Sequence, residues 1–169
     1  LARMIEAGED PQFIARRLII LAAEDVGLAE PMALPLAVAT QQAVHFIGMP
    51  EGRIPLAEAT VYLATAPKSN SAYAALNRAM DDVRNSWNAP IPPHLRNSTT
   101  DLTKKMGYGK SYKYTHDYEG HFVVQDYLPT SLKGRRYYTP TDQGYEREVK
   151  ERLKRWWGKG GGQEKAGST

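Results

Sequence analysis

From Gly8 to Trp87 the chain is interrupted at short intervals by residues that stop one helix and start the next, which commits this part to an array of packed helices. In "EAGEDP", Gly8 closes a first helix, Asp10 caps the next, and Pro11 takes its first position, where a missing N–H costs little. The helix that follows, "PQFIARRLIILAAEDV", stops at Gly27, a residue suited to a left-handed C-terminal turn. Its centre, Leu18 to Ala23, is apolar all round, so neighbours must cover more than one face. A third helix starts near Pro31 and ends at Gly48, with Pro35 in its first turns. Two alanine-rich helices, 55–66 and 71–87, complete the series. Small side chains let such helices approach closely, in antiparallel or orthogonal pairs joined by short loops.

The texture changes at Asn88. "NAPIPPHLRNSTT" is a long connection rich in turn formers. "TTDLTKKMG" is a short helix capped by Thr99 or Thr100 and ended by Gly107. The segments "YGKSYKYTHDYEGHFVVQDYLP" and "GRRYYTP" hold strand formers between Gly and Pro, which predicts a small irregular β element. Asp142 then caps a terminal amphipathic helix, in which Glu146→Lys150, Glu148→Arg152 and Glu151→Arg155 form favourable i,i+4 pairs. The expected fold is mainly α: a collar-like helical core over 9–87, a loop-rich Tyr/basic segment over 88–157, and a flexible Gly-rich tail over 158–169.

Several kinds of chemistry are disfavoured by the residue types. A 41% hydrophobic and 24% charged composition is that of an ordinary globular protein, and no apolar run approaches the length a bilayer requires. With no cysteine there is neither a disulfide nor a thiolate metal site, which fits a reducing cytosol. "GYGKS" at 107–111 ends in Lys-Ser but lacks the first glycine of a phosphate-binding loop, so no nucleotide cofactor is expected in this chain. Of the histidines only His116 and His121 cluster, with Asp117, and not at the i,i+4 spacing that would hold a metal on a helix.

The charge is uneven. Residues 1–100 carry eight Lys/Arg against ten Asp/Glu, whereas 101–157 carry twelve against eight and eight of the ten tyrosines. Basic residues interleaved with aromatics can bind nucleic acid, because cations meet phosphate while rings stack on bases. The candidates are Lys104, Lys105, Lys110, Lys113, Arg135 and Arg136, with Tyr108, Tyr112 and Tyr114.

Two further features ask for partners. Glu24 and Asp25 sit in the last turn of a helix, where the macrodipole disfavours carboxylates, with Arg17 two turns earlier on the face of Glu24. Between the alanine-rich helices, Pro67 ends the first by pushing Ala66 out of the helical region, and Ser69 or Asn70 caps the second. Lys68 is left over, since a cation just ahead of a helix start opposes its dipole unless an anion lies between. A Lys68–Ser69 nucleophilic pair would need a base and an oxyanion site, and no motif supplies them, so no catalytic residue is expected. The expectation is a structural contact of Lys68 with Glu24 or Asp25, with Arg17 in the same network.

The stretches "FIARRLIILAAEDVGLAEP", "GMPEGRIPLAEATVYLATAPKSNSAY", "PPHLRN", "GYGKSYKYTHD" and "YLPTSLKGRRYYTPTDQGYE" occur in this order. Together they resemble the C-terminal part of the replication-associated recombination protein A family, also called MgsA. These are clamp-loader-related AAA+ ATPases with the Werner-helicase-interacting protein among their eukaryotic relatives. The likeness runs from Leu1 to about Trp157; Thr115 stands where proline is common in the family. It implies that 1–8 is the end of an ATPase lid helix and that the parent protein binds ATP and magnesium through Walker motifs outside this chain. It also implies that this portion assembles a homotetramer, and that the parent works in the bacterial cytosol at stalled forks, with DNA and single-strand-binding protein. The opening "LARMIEAGEDP", without an initiator methionine, fits a piece of a longer protein.

Overall fold

The computed structural model describes residues 1–158. The tail expected to be flexible lies, beyond Gly158, outside the described residues. The helices are α1 (Ala2–Glu6), α2 (Pro11–Leu21), α3 (Ala33–Ile47), α4 (Arg53–Thr65), α5 (Ser71–Asn85), α6 (Asp101–Lys105) and α7 (Glu146–Trp157). The expected mainly helical fold is what the chain adopts. The described residues divide into two compact units, Leu1–Leu76 with Tyr138–Lys150, and Asn77–Tyr137 with 151–158.

The first unit is built on α2, which packs against α3 and α4. The Asp10 carboxylate opens α2 by accepting from the Gln12 and Phe13 N–H groups at 3.0 and 3.2 Å. Ile14, Ala15, Val44 and Leu56 form one buried cluster, and Leu1, Met4 and Ile5 cover it. Ala22, Val26, Ala33, Ala37 and Leu63 form another, and Leu18 touches both. Alanine at these crossings removes side-chain bulk, which favours close approach of the helices.

The long second helix changes geometry before it ends. From Ala22 to Val26 it widens to a π turn, and Gly27, at φ 52°, terminates it. The widened turn directs the Asp25 carbonyl to the Ser69 N–H at 2.8 Å. A Cβ on Gly27 would stand 2.5 Å from the Ser69 carbonyl oxygen, so only glycine lets the helix end lie this close to the 67–70 joint. Ala66 is extended (φ −61°, ψ 147°), as the following Pro67 demands.

The second unit is made of short elements. Thr100 caps α6 in a reciprocal box with Thr103. Where an irregular β element was expected, the described residues hold single 3-10 turns at Thr115–Asp117, Glu119–His121 and Thr130–Leu132, with an isolated bridge at Tyr118 and no ladder. Left-handed residues at Ser111, Gly120 and His121 break the run before two strands can pair. Side chains replace the ladder. Arg96 donates from Nε to the Ile91 carbonyl at 2.8 Å and from Nη1 to the Tyr108 hydroxyl at 2.8 Å. Phe122 stacks on Trp156 at 5.2 Å while Trp157 meets it edge-on, and Val123 is buried.

Candidate functional site

The joint between α4 and α5 is held to the first residue of α7 by one carboxylate. Glu146 is fully buried, and its Oε2 accepts from Ser69 Oγ at 2.7 Å, Thr141 Oγ1 at 2.6 Å and Thr141 N–H at 2.8 Å. Its Oε1 accepts from the Tyr138 hydroxyl at 2.8 Å and from the Ser71 hydroxyl. Gly144, at φ 48°, brings the chain into position: a Cβ there would overlap the Ala29 carbonyl, and the neighbouring Tyr145 N–H donates to that same oxygen at 2.8 Å.

The electrostatics follow from this ring of donors. Burial pushes the Glu146 carboxyl up, but the Ser71, Thr141 and Ser69 hydroxyls and the Thr141 N–H outweigh it and hold the pKa down at about 2. Tyr138 moves the other way: burial, its hydrogen bond to Glu146 and that residue's charge raise it to about 12. The carboxylate is thus ionised and saturated with donors, and it does the work of a clasp. A proton-transfer role would need a vacant lone pair facing a substrate.

Lys68 lies elsewhere. Its Nζ donates to the Ala64 carbonyl at 3.4 Å and to the Ala66 carbonyl, capping the end of α4. No ion pair among the described residues joins it to Glu24 or Asp25, and Arg17 has none with either. The acidic pair is accommodated by exposure: Asp25 and Arg17 face solvent and Glu24 is half-buried. Replacing Lys68 with alanine is therefore expected to change unfolding free energy by less than about 0.5 kcal/mol in a denaturant titration. Lys150 does not meet Glu146 as the i,i+4 spacing suggested; it reaches back to Asp142 at 2.8 Å, because Glu146 is turned inward.

The basic and aromatic candidates of the second unit divide into two groups. Lys104 pairs with Asp101 at 3.7 Å, Arg135 with Asp82 at 3.4 Å, Arg136 lies over the Trp157 ring, and Tyr108 is held by Arg96. Lys105, Lys110, Lys113, Tyr112 and Tyr114 are exposed, and the three lysines have no acidic partner among the described residues. Among those residues no group of His, Asp or Glu is arranged to hold a metal, and no helix is long and apolar enough to cross a membrane. The "GYGKS" stretch has neither a strand before it nor a helix after it, so these residues do not fit an ATP–magnesium site.

A large apolar surface remains uncovered. Of its own length α5 buries only Ser71. Tyr73, Leu76, Met80 and Val83 are exposed along it, Leu76 at 59%, and Trp87 just beyond its end is 81% exposed. The three-then-four spacing of Tyr73, Leu76, Met80 and Val83 puts these four in a single stripe, the seam geometry of helices that pack on one another. Phe46, Ile47, Met49 and Ile54 form a second exposed group around the α3–α4 turn.

A family model described as the MgsA AAA+ ATPase C terminal matches residues 1–157. An uncharacterized AAA domain-containing protein of Mycobacterium tuberculosis is 50% identical over 155 residues, 92% of this chain and 34% of that protein. The replication-associated recombination protein A of Haemophilus influenzae is 43% identical over 91% of this chain and 35% of its own length. The ATPase WRNIP1 of Dictyostelium discoideum is 42% identical over 80% of this chain and 16% of its own. The chain thus spans about a third or less of the curated relatives it matches.

Proposed function

This chain belongs to the family of MgsA AAA+ ATPase C-terminal regions, and from that premise we propose that it is the non-catalytic assembly domain of its parent ATPase, joining four copies through apolar faces. The observation that carries this reading is the exposed stripe Tyr73–Leu76–Met80–Val83 along α5. Monomeric proteins rarely leave so continuous an apolar face in water, and a second copy of the same chain offers the complementary seam. A closed tetramer with two-fold axes needs two different self-complementary contacts on each chain, and the group around Phe46 supplies the other. The parent, on this reading, is a DNA-dependent ATPase of replication-fork maintenance and recombination in the cytosol. ATP, magnesium and single-strand-binding protein are engaged by its remaining length, and the clasp at Glu146 holds the joint from which α5 starts.

Light scattering across a dilution series tests the assembly. The expected mass is a multiple of the 18.9 kDa chain, settling at four copies and persisting to micromolar concentration. A monomer at that concentration sinks the reading.

A further inference from the structure

Ser69 is buried, and its N–H and hydroxyl serve three different helices. The N–H donates to the Asp25 carbonyl at 2.8 Å, in the π turn that ends α2. The hydroxyl donates to Glu146 Oε2 at 2.7 Å, at the start of α7. The same oxygen accepts from the Ser71 N–H at 3.3 Å, at the start of α5. One residue therefore ties together three helix ends that lie far apart in the sequence.

The π turn is the unusual member of this group, since such turns are rare and recur at functional sites. It is closed by the Gly27 N–H on the Ala22 carbonyl. The Asp25 carbonyl, beyond the reach of the helix's own donors, is satisfied by Ser69. A shift of the 67–71 joint away from Glu146 would carry the Ser69 N–H away from that carbonyl as well. Three chain connections also leave the first unit from here, after Leu76, before Tyr138 and after Lys150. The first runs along α5, which starts at Ser71; Tyr138 donates to Glu146; and α7 starts at Glu146 itself.

We propose that Ser69 makes this junction a single latch, whose contacts with α2, α5 and α7 open and close together. Release of the Glu146 carboxylate then also releases the π turn, and the three connections lose their common anchor at once. The latch lies wholly within the first unit and is the same in one copy or in four.

Amide hydrogen exchange of the full chain, resolved by NMR, tests this, because the rate at each bonded N–H reports its own opening. The reporters are Gly27 on the α2 side, Ser69 at the joint and Thr141, whose N–H donates to Glu146 Oε2, on the α7 side. Tyr138→Phe removes one donor from Glu146 and changes nothing at Ser69 or α2. It should accelerate all three reporters by a common factor of about fivefold, the loss of one hydrogen bond. Gly48, whose N–H donates to the Val44 carbonyl at the far end of α3, should stay within about twofold of its native rate. In a Ser69→Ala background, adding Tyr138→Phe should change the Gly27 rate by less than about twofold, because the link is gone. Acceleration of Thr141 with Gly27 at its native rate would overturn the proposal, since clasp and π turn would then open independently. So would equal acceleration of Gly48, which would mean that the whole unit opens, or an undiminished effect on Gly27 without the Ser69 hydroxyl.

Discussion

The pair of substitutions Leu76→Glu and Met80→Glu splits the four-copy assembly into dimers, held by the second contact around Phe46, without loss of helix. Both side chains stand in the middle of the α5 stripe and are exposed within the chain, so stability of the individual fold should change by less than about 0.5 kcal/mol. Between copies the effect is large. Each buried leucine or methionine contributes roughly 1.5–3 kcal/mol, and a two-fold contact uses each residue from both sides. Facing carboxylates add desolvation and repulsion, so self-affinity should fall by at least about a thousandfold. Sedimentation of wild type and variant at matched concentration reads this directly. An unchanged mass would place the interface elsewhere, with the group around Phe46 next to be tested.

The second large effect belongs to Glu146. Glu146→Ala leaves the Ser69, Ser71, Tyr138 and Thr141 donors facing one another in a buried space, and should cost about 3–5 kcal/mol. In a domain of this size that lowers Tm by roughly 10 °C. Glu146→Gln is milder, since one oxygen survives, but its NH₂ group confronts donors and about 2 kcal/mol is still lost. The pH dependence distinguishes the clasp from a mere packing role. The folded-state pKa is depressed from 4.5 to about 2, so the clasp's contribution is fully present above about pH 4.5 and disappears as pH falls towards 2. That shift corresponds to about 3 kcal/mol. The stability gap between wild type and Glu146→Gln should therefore be constant from pH 5 to 7 and shrink steadily below pH 4.5. A gap that stays the same at pH 3 would contradict the clasp.

The helical punctuation was legible because it is local. Asp10 and Pro11 announce α2, Gly27 ends its π extension, and Pro67 closes α4, each through backbone geometry that a few neighbouring residues determine. The clasp was not legible, for the opposite reason. Glu146 reads locally as the first member of a surface pair with Lys150, and what buries it is Ser69 and Ser71, more than seventy residues earlier. The only hint was compositional: hydroxyls crowd both sides of the contact, in "KSNS" and in "YYTPT". Lys68 shows how dipole reasoning misleads. Its place ahead of a helix calls for an anion, yet it also follows one, and the carbonyls that end α4 meet its charge. In the Tyr-rich segment composition suggested strands, but no uninterrupted run was long enough to pair, and Arg96 and the ring cluster at Phe122 organise it instead.

The chain contains no cysteine, so a single introduced thiol reports on one position alone. The rate at which Met80→Cys reacts with a maleimide, compared with Asn85→Cys on the other side of α5, tests whether a second copy covers the stripe. The account predicts that labelling at position 80 is slow at high protein concentration and accelerates on dilution, while position 85 reacts at one rate throughout. Equal, concentration-independent rates at the two positions would contradict it.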